Sequence, residues 1–273
     1  MVRSLWSAAS GMIAQQTNVD TIANNLANVN TNGYKTEVAE FKSLLYQNLQ
    51  SKTTSANGEN KPISAQVGLG VRNSAITSVF KQGPLVASSS TTAFAIQGNG
   101  FFAVKGEDGK TYYTRNGNFN FNTGTGKNIV LSNSDGLPVL DTAGKTISLD
   151  TTKYVASKIT VDSEGRICYP DKSGNAQPIG IKLGTYQFSN PAGLEKKGDT
   201  LYGVTAASGT ALNEATNINL DKSSIVQGYL EGSGVEVVDE MVNMIVAQRA
   251  YELNSKAITT SDTMMEQANN LKR

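Results

Sequence analysis

Apolar residues recur every seven positions at both ends of the chain, and this spacing predicts two long terminal helices. At the N-terminus two such sets form an a/d seam, in which one polar residue interrupts the second set. The first set is Leu5, Met12, Val19 and Leu26, and the second is Ala8, Gln15, Ile22 and Val29. Asn32 and Gly33 are predicted to end this helix, because glycine readily adopts the left-handed conformation that closes a helix.

The C-terminal segment carries two apolar stripes. Ser233 and Glu236 stand at capping-box spacing before it and predict its first turn. The first stripe comprises Val235, Val242, Val246, Ala250, Leu253, Ala257, Met264 and Leu271, and the second comprises Met244, Tyr251, Ile258 and Met265. At about 100° per residue, the stripes lie roughly 130° apart around the helix. Because one packing partner requires only one stripe, the other is predicted to contact a further chain.

Between the helices, short segments rich in β-branched and aromatic residues alternate with turn signals. Phe101–Lys105 and Thr111–Arg115, separated by a Glu-Asp-Gly turn, predict a β-hairpin. Further strand candidates are Asn128–Ser132, Leu137–Asp141, Lys145–Asp150, Lys158–Asp162, Arg166–Pro170 and Ile179–Phe188. Strands this short with such close turns favour a mainly antiparallel domain over βαβ units.

These elements predict an α+β fold, in which the terminal helices pair as a coiled-coil-like stem around a mainly antiparallel β domain. The predicted boundaries are 1–33 for the first helix, 34–66 for a connecting segment, 67–220 for the β-rich outer domain, 221–232 for a return link and 233–273 for the second helix. The intramolecular seam is expected to join Leu5, Met12, Val19, Ile22 and Leu26 to Val246, Leu253, Ala257 and Met264.

Apolar residues outside that seam predict self-assembly. The residues expected to face adjacent subunits are Trp6, Ile13, Met244, Tyr251, Ile258 and Met265. Burial of apolar surface contributes roughly 25 cal/mol per Å2, whereas ordering a residue costs on the order of 1–2 kcal/mol, so an isolated helix pair is marginal. We therefore expect the helices to be stabilised by assembly.

The composition limits the chemistry that the chain can perform. It has no histidine and one cysteine, Cys168, so the commonest general base and metal ligand are missing and an internal disulfide is excluded. Cys168 is expected to be inert packing in a strand. The net charge of +1 comes without a basic block, so nucleic-acid binding and membrane-surface binding are not predicted. We predict no catalytic centre, no metal site and no cofactor.

Motifs that could carry chemistry are better interpreted as turns. Gly109-Lys110-Thr111 and Gly144-Lys145-Thr146 resemble the end of a phosphate-binding loop but lack its first glycine, and Gly98-Asn99-Gly100 lacks the third glycine of a dinucleotide site. The carboxylates that could support glycoside hydrolysis are Asp108, Asp135, Asp141, Asp150, Asp162 and Glu164. Each stands at a predicted turn or strand end, where aspartate commonly bonds the turn backbone.

The N-terminus does not resemble a secretory signal, because polar residues such as Ser7, Ser10 and Gln15 interrupt any apolar stretch. Nor does any window approach the roughly 18 apolar residues of a membrane span. The sequence predicts neither a cleavable signal peptide nor membrane insertion.

Both termini carry motifs of a known family. The N-terminal motif is Asn24, Asn25, Leu26, Ala27 and Asn28, followed by Thr31, Gly33, Tyr34 and Lys35. The C-terminal motif is Gln248, Arg249, Ala250, Tyr251 and Glu252, followed by Asn254, Ser255 and Lys256. With AIQGNGFFAV and YTRNGNF in the middle, the chain closely resembles the flagellar basal-body rod proteins over nearly its whole length. Its C-terminal motif resembles the distal-rod members rather than the hook subunit.

The resemblance implies a structural subunit that polymerises helically into the distal rod, a hollow drive shaft that transmits torque to the hook. The implied partners are further copies of the chain, other rod subunits, the hook protein, the surrounding basal-body rings and the flagellar type III export apparatus. The implied location is the periplasmic portion of the basal body, reached without a cleavable signal peptide. The terminal helices would line the inner wall and the β domain would form the outer layer.

Two other functions stay open at this point. The nearer is another flagellar axial protein, either a proximal rod subunit or the hook subunit, although hook subunits usually carry a larger middle region. The farther is an enzyme that cleaves peptidoglycan with a pair of carboxylates, which would require no histidine.

Overall fold

The computed structural model describes residues 2–50, 65–124, 127–171 and 175–271, which divide into two compact units. Unit 1 comprises the described residues of Met1–Ala27, Glu37–Ser78 and Glu236–Arg273. Unit 2 comprises Asn28–Thr36 and the described residues of Val79–Val235. The fold is α+β, with one long helix near each end of the chain and mostly antiparallel strands between them.

Unit 1 contains both long helices and two β-hairpins. Its elements are α1 (Val2–Ala27), β1 (Glu37–Ser43), β2 (Tyr46–Gln50), β3 (Ala65–Gly68), β4 (Val71–Ser78) and α2 (Val237–Asn270). β1 pairs antiparallel with β4, and β2 pairs antiparallel with β3. The connecting segment predicted for 34–66 therefore contains β1 and β2, while 51–64 lie outside the described residues.

Helix α1 ends at Ala27, earlier than the predicted stop at Gly33. The reason is local, because Thr31 donates both its N–H to the carbonyl of Asn28 and its hydroxyl to that residue's side chain. Such side-chain bonds offer the backbone an alternative to the helix. Gly33 does adopt the predicted left-handed conformation, with φ of 71°, but in the turn that follows.

Helix α2 begins at Val237, and the capping box predicted for Ser233 and Glu236 does not form. Glu236 is itself the N-cap residue and makes no side-chain cap bond. The preceding backbone is held in an extended path, because Gly234 donates its N–H to Tyr34 O and accepts a bond from the Thr36 hydroxyl. This pairing shifts the first helical turn past Ser233.

Unit 2 is built from short antiparallel strands. They are β5 (Leu85–Ala87), β6 (Phe94–Gln97), β7 (Phe101–Lys105), β8 (Thr111–Thr114), β9 (Asn120–Thr123), β10 (Asn128–Ser132), β11 (Ser148–Asp150), β12 (Thr160–Val161), β13 (Arg166–Pro170), β14 (Ala176–Lys182), β15 (Thr185–Gln187), β16 (Glu195–Gly198), β17 (Leu201–Gly203), β18 (Leu212–Asn213), β19 (Ser224–Gln227) and β20 (Tyr229–Glu231). The largest sheet has the order β16-β17-β8-β7-β15-β18. Short 3-10 helices occupy Ala156–Lys158 and Pro191–Gly193.

Strand β7 lies in the middle of the core and buries both of its faces. Phe102 and Val104 belong to the larger apolar cluster, whereas Phe101 and Ala103 face a second cluster with Tyr113. A run of consecutive apolar residues is what a strand covered on both faces requires. The predicted hairpin is confirmed, with β7 paired antiparallel to β8.

Other predicted strands were partly wrong. Leu137–Asp141 forms only isolated bridges, and β11 covers only the end of the predicted Lys145–Asp150 strand. Ile179–Phe188 is split between β14 and β15. The break lies at Gly184, whose N–H bonds Leu140 O and where an added Cβ would approach that oxygen to 2.8 Å.

Candidate assembly surfaces of the terminal helices

Helices α1 and α2 pack antiparallel in unit 1. Three contacts define their register. The hydroxyls of Ser4 and Ser261 lie 3.5 Å apart, and Asn25 donates to Glu240. Between these contacts, an added Cβ at Gly11 would lie 2.8 Å from Asn254 Nδ2. A step of 21 residues from Ser4 to Asn25 along α1 matches an equal step back along α2 from Ser261 to Glu240. The two helices therefore keep one register over most of α1.

The face that α1 turns to α2 consists largely of small and polar residues. These residues stand at heptad spacing and are Ser4, Ala8, Gly11, Gln15, Asn18, Ile22 and Asn25. Ala8, Ile22 and Asn25 are buried. Leu5, Met12, Val19 and Leu26, predicted as the main seam, are only partly buried and lie beside this face, so among the predicted α1 seam residues Ile22 is central.

The side of α2 that faces α1 carries the residues predicted to face other subunits, and the residues predicted for the seam are exposed. Val246, Leu253 and Met264 are 62%, 66% and 53% exposed, and Ala257 is also exposed, so they do not form the intramolecular seam. Met244, Ile258 and Met265, predicted to face other subunits, are partly buried and share the side of Ala247, which is buried, and Asn254. Tyr251 lies on that side too but stays 42% exposed.

The reversal has a physical cause in the polar contacts of α1. Ser4, Gly11 and Asn25 place small or hydrogen-bonding groups at the interface, and they face Ser261, Asn254 and Glu240. On α2 these polar partners alternate with Met244, Tyr251, Ile258 and Met265 at heptad spacing. Hydrophobic periodicity favours the longer apolar stripe as the seam and does not indicate that a stripe interleaved with polar residues is the one that packs.

A second side of α1 is covered by the β1–β4 hairpin. Ser10 Oγ accepts a bond from the Val71 N–H at 3.3 Å, and Asn73 donates to Thr17 Oγ1 at 2.6 Å. Ala14 and Thr21, which lie on this side, are buried. Because β1 and β4 are largely exposed strands without a regular apolar alternation, their sequence gave no signal for this contact.

Asn25 joins the helices to the hairpin. Its side-chain Oδ1 accepts the Glu37 N–H at 2.9 Å, and its Nδ2 donates to Glu37 O at 2.8 Å and to Glu240 Oε1 at 3.3 Å. The amide thus replaces a backbone partner at the start of β1 and is fully buried. Of the N-terminal motif, Asn24 and Ala27 are exposed on α1, while Asn28, Gly33 and Tyr34 belong to unit 2.

The C-terminal motif spreads around α2. Gln248, Arg249 and Lys256 are exposed, and Arg249 forms an ion pair with Glu252 at 2.9 Å. Exposed ion pairs of this kind contribute about 0–1 kcal/mol, so this pair does little for the helix. Ala250, Asn254 and Ser255 are partly buried on or near the side that faces α1.

Among the exposed apolar side chains of unit 1, two groups lie on the long helices. The outer stripe of α2 consists of Val242, Val246, Leu253, Ala257 and Met264. The exposed pair of α1 consists of Trp6 and Ile13, at 69% and 65% exposure. Groups of exposed apolar side chains are typical of sites of protein–protein interaction.

The residues considered for chemistry serve local structure instead. Asp108 accepts the Lys110 N–H at 3.1 Å, and Asp150 accepts the Thr152 N–H at 3.0 Å, as turn residues do. Hydrogen bonds from the side chains of Tyr112 and Thr152 lower the pKa values of Asp108 and Asp150, respectively, whereas a general acid needs a raised pKa. Cys168 is buried in β13, and burial raises the pKa of its thiol.

The described part of the chain gathers no group of three or more acidic or cysteine side chains that could hold a metal ion. Among the described residues, neither long helix has a stretch apolar enough to cross a membrane.

Three family profiles match the chain in order along its length. Residues 5–35 match the flagella basal body rod protein family, residues 95–169 match the D1 domain of the flagellar hook protein FlgE/F/G family, and residues 226–271 match the C-terminal region of the flagellar basal body rod FlgEFG proteins. The first and last matches contain most of α1 and α2.

Relatives match over the full length. The flagellar basal-body rod protein FlgG of Borreliella burgdorferi is 42% identical over 275 residues, with both chains fully covered. The protein of the same name from Agrobacterium fabrum is 41% identical over 96% of this chain and 97% of its own. That of Bacillus subtilis is 38% identical over the whole of both chains. The function of the exposed surfaces is therefore inferred from two observations, the family of these relatives and the register of the terminal helices.

Proposed function

Because the chain belongs to the flagellar basal-body rod protein family, we propose that it is a structural subunit that polymerises helically into the distal rod of the flagellum. The rod is a hollow drive shaft that transmits torque to the hook. The distal rod is favoured over a proximal rod or hook role because relatives named FlgG match along the full length of both chains.

The observation that carries the proposal is the pair of exposed apolar groups on unit 1. α1 already contacts α2 on one side and the β1–β4 hairpin on another, yet Trp6 and Ile13 remain open. On α2, Leu253 and Val246 point away from α1. Covering such side chains contributes about 1.5–3 kcal/mol for each that is fully buried, which favours a neighbouring subunit over solvent.

Two different apolar surfaces on one subunit fit a helical polymer. A heterologous contact joins unlike surfaces, and when its rotation does not close a ring it generates an open helical filament. We assign the outer stripe of α2 and the Trp6–Ile13 pair to contacts with neighbouring copies. The alternating polar and apolar layers between α1 and α2 support a coiled-coil-like stem within each subunit.

The remaining partners follow from the family. We expect the terminal helices to line the inner wall of the rod and the β domain to form the outer layer. The expected partners are other rod subunits, the hook protein and the surrounding rings. We place the chain in the periplasmic part of the basal body, reached through the flagellar type III export apparatus. We expect no cofactor and no nucleic-acid partner.

We also propose that the chain is not an enzyme. Asp108 and Asp150 form turns, and hydrogen bonds to their charged forms lower their pKa values, which disfavours the protonated state that glycoside hydrolysis needs. A turbidity assay on purified cell walls tests this, and the expected result is no lysis above a buffer control. Lysis that disappears in the Asp108→Asn variant would overturn it.

The assembly surface is tested with Leu253→Asp. A carboxylate in the centre of the outer stripe would have to be buried without a partner, so polymerisation of the purified chain is expected to fall by about a hundredfold or more. Filament yield is measured by sedimentation and electron microscopy. The matched control is Thr259→Asp, which places the same charge on an exposed position of α2 away from both faces.

Leu253 is exposed in the single chain, so Leu253→Asp should leave the fold of the monomer intact, and circular dichroism checks this. Normal filaments from Leu253→Asp would contradict the assignment of this stripe. Equal loss in Thr259→Asp would indicate that added charge, and not the stripe, is responsible.

A further inference from the structure

Three charged side chains are buried together in unit 2. Lys35, Arg115 and Glu231 are each at most 2% exposed and rank among its largest fully buried side chains. Charged residues are almost never buried this completely unless they are paired. They come from three distant parts of the sequence, namely the segment after α1, the end of β8 and the end of β20.

Glu231 is the centre of this cluster. Lys35 Nζ donates to its Oε1 at 2.6 Å, Arg115 Nη1 donates to its Oε2 at 3.2 Å, and the Gly83 N–H donates to Oε1 at 2.9 Å. Lys35 also donates to the carbonyl of Lys81 at 2.7 Å. The carboxylate is therefore well satisfied, and each of its bonds is drawn from a different segment of unit 2.

Arg115 also contacts groups other than Glu231. Its Nη2 donates to Gly98 O at 2.6 Å, and its guanidinium lies 5.1 Å from the centre of the Phe101 ring. Its Nε has no hydrogen-bond partner among the described residues. Arg115 thus anchors Glu231 to the strands of the β core.

The same site joins two segments of the chain, one that follows α1 and one that precedes α2. We call residues 33–36 and 231–234 the crossing segments. The Gly33 N–H donates to Glu231 O at 2.8 Å, and the Gly234 N–H donates to Tyr34 O at 3.0 Å. An added Cβ at Gly33 would lie 2.6 Å from Asn116 N, so the left-handed turn is packed tightly against unit 2.

The cluster holds two cations against one carboxylate. Burial lowers the pKa of Lys35, and Glu231 opposes that shift without cancelling it. A buried ion pair of this sort contributes little net stability, and its best-attested use is to fix one arrangement over its alternatives. Here the arrangement that it fixes is the pairing of the two crossing segments, since Lys35 stands on one and Glu231 on the other.

We propose that Lys35 and Glu231 form a clamp that holds the crossing segments side by side and thereby positions α1 and α2 to pair. The inference rests on the proposed function, in which the paired helices form the stem of the subunit. Because 196 residues separate the two partners, the clamp closes a loop that contains nearly all of unit 2. Holding both chain segments together raises the effective concentration of one helix for the other.

The test measures how fast the helices meet in a single chain. Gly11 and Asn254 are replaced by cysteine in a Cys168→Ser background, because an added Cβ at Gly11 would lie 3.1 Å from Asn254 Cγ, so the side chains of the two positions are in contact. The rate of intramolecular disulfide closure is followed in dilute monomer. Lys35→Met is expected to slow closure by about tenfold or more.

Lys35→Met is chosen because it leaves Arg115 and Glu231 as a neutral pair, so no buried charge in unit 2 is left without a partner. The matched control is Lys81→Met, which removes an exposed lysine. Lys35 bonds only the backbone carbonyl of Lys81, so that bond is kept in the control. The disulfide of the control should close at the original rate. Amide exchange is measured in parallel for Gly33, Gly234 and β7. Exchange should rise in the first two and stay unchanged in β7.

Unchanged closure in Lys35→Met would overturn the clamp. Faster exchange in β7 would also overturn it, since Lys35 would then support the core as a whole. Closure within one chain is separated on a non-reducing gel from disulfides between chains. Failure of the proposed polymerisation would instead appear in the filament assay of Leu253→Asp, which does not depend on the clamp.

Discussion

At the residue scale, a few polar side chains decide how the ends of the chain are arranged. Asn25 bonds both backbone groups of Glu37 and the side chain of Glu240, and it is fully buried. The sequence marked Asn25 only as one member of an asparagine-rich motif, since periodicity cannot tell a buried amide from an exposed one. The burial of Lys35, Arg115 and Glu231 was not predicted for a similar reason, because single charged residues far apart in sequence are normally solvent-exposed.

Replacing Asn25 by alanine should destabilise unit 1. The change removes the bonds of the buried Asn25 amide to the N–H and C=O of Glu37, and hydrogen bonds each contribute about 0.5–1.5 kcal/mol to stability. The urea midpoint for loss of helical circular dichroism in the full chain is therefore expected to fall. Asn30→Ala, at an exposed position, is the control and should leave the midpoint unchanged. An equal midpoint for Asn25→Ala and the natural chain would show that the amide network is not needed.

At the scale of the elements, the sequence predicted what periodicity determines. Both long helices and the β7–β8 hairpin were found because their apolar spacing is regular. The helix ends were not predicted correctly, because they depend on hydrogen bonds of Asn28 and Gly234. Hydrophobic spacing does not reveal such bonds. The face of α2 that contacts α1 was assigned in reverse, since Glu240, Asn254 and Ser261 interrupt its apolar residues.

The aromatic cluster beside β8 should give unit 2 a distinct response to alkaline pH. Tyr113 packs edge-on against Phe188 at 4.9 Å, and burial raises the pKa of Tyr113 to about 12. In the unfolded chain the phenol has its ordinary pKa of 10.0, so it ionises first there as the pH rises. The contribution of Tyr113 to stability is therefore complete below pH 10 and is lost between pH 10 and about 12.

Tyr113→Phe removes this ionisation while keeping the ring. The free energy of unfolding of the variant should fall less steeply than that of the natural chain between pH 10 and about 12, as measured by urea titration across that range. Comparing the two proteins cancels the other alkaline titrations, including that of Lys35. Parallel pH curves would mean that the phenol is not protected from ionisation by its burial.

At the scale of the whole molecule, the two units serve different purposes. Unit 2 buries two apolar clusters around β7 and needs no neighbour to be stable on this account. Unit 1 leaves Trp6 and the outer stripe of α2 in solvent, so under the proposed function its stability depends on assembly. The family indicates that the chain forms a rod polymer. The register of α1 on α2 determines which surface of α2 stays exposed for contacts with other subunits.

The central claim is tested most directly by two adjacent methionines. Met264 belongs to the exposed outer stripe, whereas Met265 is partly buried on the side that faces α1. Hydroxyl-radical oxidation of each residue is measured by fragment-ion mass spectrometry in the monomer and in the assembled filament. If the outer stripe contacts neighbouring copies, Met264 should oxidise faster than Met265 in the monomer and be strongly protected on assembly. A Met264 that oxidises as fast in the filament as in the monomer would contradict it.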